Sequence, residues 1–313
     1  MNKNRRNAEG GPVPGRRSRF RKNIQKRGGH RVHAYWNGEI LPLDAVRVSP
    51  LDRGFVFGDG VYEVIRLYGG RLFYADRHWT RLARSLQALS IAPAPEPTAL
   101  EDALRQLIAK DGVEDGIAYV QVTRGAAPRT HAFPAPPVAP SVLAYVQPIP
   151  RPASIDRGGR AVLYPDLRWQ RVDIKSVNLL GNVLAKQHAV EAGADEAILH
   201  RDGLITEGSS SNVFIVKKGI AFTHPATHAI LNGITRQLVL ELMGELGLPV
   251  VERPFSIEAL WEADEVFITS TINEVTPIVA VDGVPIAGGK IGPWTAAVRA
   301  AFSDLVERVR VGA

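Results

Sequence analysis

Short stretches of this chain alternate apolar and polar residues with a period of two. Others repeat with a helical period, and the two kinds are interleaved from end to end. Regular patterning starts near His33. Ala34–Trp36 and Glu39–Leu41 flank Asn37-Gly38, a strong hairpin signal. Val61–Tyr68 and Arg71–Tyr74 flank Gly69-Gly70 in the same way. Trp79, Leu82, Ala83, Leu86 and Leu89 share one helical face, which predicts a helix with Asp76 as its N-cap. A second helix is predicted over Ala99–Lys110, stopped at Gly112, and strands over Ile117–Thr123 and Ser141–Gln147.

Proline-rich Gln147–Ala153 reads as a linker. Beyond it the pattern predicts strands at Gly159–Tyr164, Glu196–His200, Leu204–Thr206, Asn212–Val216, Ile220–Thr223, Val250–Arg253, Glu265–Ser270 and Ile278–Val281. Helices are predicted at Asn178–Ala192, Ile234–Leu246 and from about Gly292 to Arg308. Strands and helices mixed in both halves imply an α/β or α+β fold. The expected division is a smaller α/β domain at 33–150 and a larger one at 154–313, preceded by a basic, disordered extension at 1–32.

Composition changes this picture at one place, the N-terminus. The chain of 313 residues carries a formal charge of +6, but residues 1–32 hold 11 Lys or Arg and one acid, Glu9. The remainder holds 27 basic and 31 acidic side chains and is mildly acidic. The tail is read as a solvated segment without a role. Charge-driven contact with nucleic acid or a membrane is the weaker reading, and a transit-like segment lacks the amphipathic pattern it needs. A start downstream, for example at Val32, is a further expectation. There is no cysteine, which excludes thiolate catalysis and Cys-ligated metals and fits a reducing cytoplasm. No apolar run reaches membrane-spanning length.

Five segments could carry chemistry. Asp173-Ile174-Lys175-Ser176 places Lys175 at the end of an expected strand, before a helix, between apolar Ile174 and Val177. Most lysines are solvated, but one sheltered from water can serve as an amine nucleophile toward an aldehyde cofactor. Thr206-Glu207-Gly208-Ser209-Ser210-Ser211-Asn212 is either a polar loop or a strand end that turns Glu207 inward. A carboxylate there could keep a pyridine nitrogen protonated. Asn232-Gly233-Ile234-Thr235-Arg236 opens a helix, whose free N–H groups either are simply capped or hold a phosphate. Ser270-Thr271 offers more donors, and Arg81, on the polar face of its helix, a cation. In Thr123–His131, Arg129 and His131 alternate along an extended loop and can face one carboxylate, or the loop is merely basic and solvated. In Asp52–Glu63 the glycine spacing fits no nucleotide-binding loop, and Tyr62 is a core aromatic or a pocket residue.

Taken in order, FGDGVYEVIR (57–66), HWTRL (78–82), DIKSVNLLGNVLAKQ (173–187), EAILHRDGLITEGSSSNVFIV (196–216), NGITR (232–236) and FITSTINEVTPI (267–278) resemble the class IV, or fold type IV, pyridoxal-5′-phosphate (PLP) aminotransferases. The resemblance spans about residues 33–305. YVQVTRGAAPRTHAFP (119–134) is most similar to the D-amino-acid subfamily, through its PRxH element. The resemblance implies two mixed-sheet domains with the active site at their interface, and a dimer; the expected setting is the cytoplasm. It implies Lys175 as the Schiff-base lysine and proton shuttle, and Glu207 as partner of the pyridine nitrogen. Arg81, Ile234, Thr235 and Thr271 would hold the phosphate, and Tyr62 would line the substrate pocket. Arg129 and His131 would trap the substrate carboxylate, reaching into the neighbouring subunit. D-alanine and 2-oxoglutarate, giving pyruvate and D-glutamate, would be the reactants, with no metal. Phe55, Val56, Thr130 and Asn182 depart from the family pattern and leave side-chain preference open. A branched-chain L-amino-acid aminotransferase, an aminodeoxychorismate lyase and a nucleic-acid-binding protein are the alternatives, in that order.

Overall fold

The computed structural model describes residues 32–312. The expectations attached to the basic extension therefore lie, Val32 apart, outside the described residues.

The first half builds a six-stranded antiparallel sheet in the order β2-β1-β6-β5-β3-β4. Its strands are β1 (His33–Trp36), β2 (Glu39–Pro42), β3 (Gly60–Tyr68), β4 (Arg71–Leu72), β5 (Gly116–Thr123) and β6 (Ser141–Pro148). Asn37 and Gly38 both take positive φ, as the predicted β1–β2 turn requires. Three helices accompany the sheet: α1 (Arg53–Phe57), α2 (Ala75–Ala88) and α3 (Pro97–Asp111).

In β3, Val61, Ile65 and Leu67 pack with Trp79, Leu82 and Leu86 of α2 and Leu100, Leu104 and Leu107 of α3. The opposite face of β3 carries Tyr62, Val64, Arg66 and Tyr68, because strand side chains alternate. That face looks toward the second half of the chain. Tyr68 joins the core formed by Phe214, Phe267, Leu238 and Phe302.

The second half builds a nine-stranded mixed sheet, β12-β11-β10-β13-β14-β7-β8-β9, with β15 on β14. The strands are β7 (Gly159–Pro165), β8 (Glu196–Arg201), β9 (Leu204–Gly208), β10 (Asn212–Lys217), β11 (Ile220–Thr223), β12 (Val250–Glu252), β13 (Glu265–Ser270), β14 (Glu274–Val281) and β15 (Val284–Pro285). Its helices are α4 (Ser154–Arg157), α5 (Leu180–Glu191), α6 (Ile234–Glu245), α7 (Ile257–Trp261) and α8 (Pro293–Val311). Both α6 and α8 cover one face of the sheet through Leu238, Leu242, Val298 and Phe302. Among the described residues no helix is long and apolar enough to cross a membrane.

Two local expectations are corrected. The N-cap of α2 is Tyr74, in a left-handed conformation, and Asp76 lies in the first turn, where its charge favours the helix dipole. Lys175 is not at a strand end. It lies in an irregular segment between β7 and α5, whose backbone bonds instead to β3.

Candidate active site

A cavity of about 520 Å³ opens between the two sheets. Tyr62, Arg81, Lys175, Glu207, Ile234, Thr235 and Thr271 all line it, so residues far apart in sequence converge on one space.

Lys175 is held by backbone. Its carbonyl accepts the Tyr62 N–H at 3.0 Å, the Val177 N–H donates to the Gly60 carbonyl at 3.0 Å, and Val61 pairs with Ser176 in an antiparallel bridge. The Lys175 N–H donates to Ser85 Oγ on α2 at 3.3 Å. Its Nζ lies 3.9 Å from the centroid of the Tyr62 ring and forms no ion pair among the described residues. Tyr62 stacks on Tyr119, and Tyr119 on Tyr145, which fixes the ring beneath the amine.

Arg81 is not on a polar face, as the pattern suggested. It is buried, because α2 has a second buried stripe of His78, Arg81 and Ser85 beside the apolar one. Its guanidinium donates to both oxygens of Glu63, at 2.8 and 2.7 Å, and to the Asn232 carbonyl at 3.1 Å. His78 Nδ1 lies 2.7 Å from Glu63 Oε2. Burial works to raise the Glu63 carboxyl, but the Arg81 charge and its hydrogen bonds, with His78, outweigh it and hold the group at about 2. Burial also lowers His78, despite the pull of Glu63, so the imidazole is a neutral donor at pH 7.

Glu207, on β9, is buried. Its Oε2 accepts from Asn212 Nδ2 and the Leu231 N–H, both at 3.0 Å, and its Oε1 pairs with Arg168. Arg168 also grips Asp166 at 2.8 and 2.9 Å. Burial raises the Glu207 carboxyl against the opposing Arg168 charge. Burial would lower Arg168, but the Glu207 and Asp166 charges prevail and raise it.

Gly233 caps α6 without any side-chain acceptor for the first N–H groups of the helix. A Cβ at Gly233 would lie 2.3 Å from Asn212 Oδ1, so the close approach requires glycine. Next to this helix end, Thr269 Oγ1 is buried with no partner among the described residues. An uncapped helix terminus, spare guanidinium N–H groups on Arg81 and an orphaned hydroxyl form a donor set suited to a phosphate. Lys175 and Glu207 supply an amine and a carboxylate on the same walls. The residues therefore fit PLP.

Arg129 and His131 are exposed and do not line this cavity. They stand together: the Arg129 guanidinium lies 5.2 Å from the centroid of the Phe57 ring and the His131 ring 5.6 Å from it. Arg53 sets their backbone, donating to the carbonyls of Thr130 at 2.7 Å, Ala132 at 3.3 Å and His131 at 3.4 Å. Sequence reasoning missed Arg53, Glu63 and Arg168. Glu63 was detectable, since it occupies a core-facing position of an apolar strand.

The family model described as amino-transferase class IV matches residues 60–281. The chain belongs to the class IV aminotransferases. The D-alanine aminotransferase of Staphylococcus haemolyticus is 43% identical to this aminotransferase over 272 residues, 87% of this chain and 96% of that one. The D-alanine aminotransferase of Bacillus licheniformis is 46% identical over 272 residues, with the same coverage. Among solved structures, the branched-chain amino acid aminotransferase of Escherichia coli superposes with a TM-score of 0.82 at 29% identity, covering 88% of this aminotransferase and 95% of its own chain. The T.th. branched-chain amino acid aminotransferase complexed with N-(5′-phosphopyridoxyl)-L-glutamate has a TM-score of 0.81 at 27% identity, covering 89% and 95%. The two-sheet architecture is thus the type IV fold.

Proposed function

We propose that this aminotransferase uses PLP to move the amino group between D-amino acids and 2-oxo acids, with D-alanine and 2-oxoglutarate as the main pair. The observation that carries the D-specific reading is the Arg129–His131 pair, gathered on the Phe57 ring outside its own cavity. The 43–46% identity to D-alanine aminotransferases supports it, against 26–29% to the branched-chain enzymes whose structures superpose.

Bound PLP would supply an aldehyde that captures an amine and a ring that draws negative charge away from the reacting carbon. Arg81, Thr271, Thr235 and the Ile234 end of α6 would hold the phosphate. Lys175 Nζ takes the proton from the substrate Cα and delivers it again, as base and then acid. Glu207, its carboxylate positioned by Arg168 and Asn212, would hold the ring nitrogen protonated. Tyr62 closes the wall beside Lys175 and excludes water there.

Two copies of the chain complete the site in this proposal, with Arg129 and His131 of one holding the substrate carboxylate in the other. Leu180, Val183 and Leu184 of α5 are exposed near the cavity, which supports an apolar contact with a second copy. The segments 33–150 and 154–313 act as two domains with the reacting centre between them. A cytoplasmic setting, where free amino acids and oxo acids meet, is part of the same reading.

The test is to assay D- and L-alanine side by side with 2-oxoglutarate, and to compare the absorbance of the purified protein before and after borohydride with that of K175A. Turnover of D-alanine with a borohydride-fixed chromophore absent from K175A is expected. Turnover of only the L-form would replace the D-specific reading with the branched-chain one.

A further inference from the structure

Arg66 follows Tyr62 and Val64 on the same face of β3, and it is 3% exposed. Its Nε and Nη1 are buried without a hydrogen-bond partner among the described residues. The guanidinium borders a second cleft, of about 560 Å³, lined also by Tyr68, Arg151, Glu274, Val306 and Arg310. On β3 the cavity around Lys175 is lined by Tyr62 and Val64 and the cleft by Arg66 and Tyr68, and the two linings share no residue.

The other charges bordering the cleft are already matched. Arg310 donates to both oxygens of Asp115, at 3.1 and 3.0 Å, and lies 3.5 Å from Glu307. Arg151 donates to Glu274 at 3.0 Å and to Asp156 at 2.7 Å. The Tyr68 hydroxyl donates to the second Glu274 oxygen at 3.0 Å, and burial keeps that hydroxyl protonated by raising it. Both Glu274 oxygens are thus engaged by groups other than Arg66. The Tyr68 hydroxyl also lies beside the guanidinium, and the Tyr68 ring is 5.4 Å from the guanidinium carbon, but neither satisfies Nε or Nη1. A buried guanidinium with no carboxylate partner among the described residues and two unsatisfied nitrogens is costly, and its planar donors match a carboxylate or phosphate.

We propose that the cleft at Arg66 is a second binding site, for a small oxyanion, either a carboxylate or a phosphate. The ligand would touch β3, the 149–151 linker, β14 and α8, and so would tie the two sheets together away from the reacting centre.

Equilibrium dialysis on PLP-saturated protein tests this, with labelled inorganic phosphate in one arm and malonate in the other. About one saturable anion per chain is expected in at least one arm, and the arm that binds identifies the class. R66Q should weaken that binding roughly tenfold or more while keeping the cofactor absorbance. Absence of saturable binding in both arms, or unchanged binding by R66Q, overturns the proposal. If R66Q does not fold, the wild-type protein crystallised with a heavy-atom form of the anion that bound decides, arsenate for phosphate or bromomalonate for malonate. An anomalous peak within hydrogen-bond reach of Arg66 supports the site, and its absence rejects it.

Discussion

Replacing Glu63 with Gln tests how the floor of the cavity is held. The carboxylate receives two hydrogen bonds from Arg81 and one from His78, all at 2.8 Å or less, and none of its surface meets water. E63Q keeps the shape but leaves the Arg81 cation buried without its counter-charge. Removing one partner of a buried pair costs about 3–5 kcal/mol. The carboxyl itself gives an independent figure. Its ordinary value of 4.5 falls to about 2 in the fold, which corresponds to roughly 3 kcal/mol. The lowered value means that this stabilisation is present above pH 4.5 and is lost as the pH falls toward 2. Urea unfolding of the PLP-free protein should therefore show E63Q less stable by about 3–5 kcal/mol at pH 7. By pH 3.5 roughly 1 kcal/mol of that gap should close, because only wild type has the group to protonate. A gap that stays constant over this range, or that is smaller than about 1 kcal/mol at pH 7, would refute the ion-pair account.

The remaining expectations concern the walls and the partner copy. R129Q should lower kcat/KM for D-alanine by about tenfold to a hundredfold without altering cofactor absorbance, as befits a charged hydrogen bond to substrate. Mixing it with inactive K175A and allowing chains to exchange should recover activity, since one hybrid site has both groups; no recovery would refute the trans arrangement. G233A should push Asn212 off Glu207 and weaken PLP binding by about 1–3 kcal/mol, read by cofactor titration. R168M should destabilise the chain by about 3–5 kcal/mol, and adding E207Q should restore part of that loss. Strict additivity in urea unfolding would show that the two groups do not act as a pair.

The fold was legible where partners are close in sequence. The β1–β2 and β10–β11 hairpins follow from turn residues and alternation, and α6 follows from its apolar stripe. Lys175 was misplaced because the backbone of its segment bonds to Gly60 and Tyr62, more than a hundred residues away, and such bridges leave no local period. Arg81 looks solvated in the sequence because a helix with two buried stripes is amphipathic in its apolar residues alone. Lys175 and Glu207 were legible as candidates through the order of their motifs, and both line the cavity. Arg168 was not, since nothing in Asp166-Leu167-Arg168 points to a carboxylate 39 residues further on. The exposure of Arg129 and His131 is explained by the second copy proposed above, which the sequence of one chain does not display.

The short bridge between Val61 and Ser176 bears on how such enzymes can be recombined. The amine belongs to one half of the chain, yet its position is read from the main chain of the other. A graft of the 154–313 half onto a foreign first half would keep every motif letter of that half and still misplace Nζ if the new strand began its ladder one residue early. Main-chain register at Gly60–Tyr62, not side-chain identity, is therefore the quantity to preserve when the halves of two relatives are exchanged.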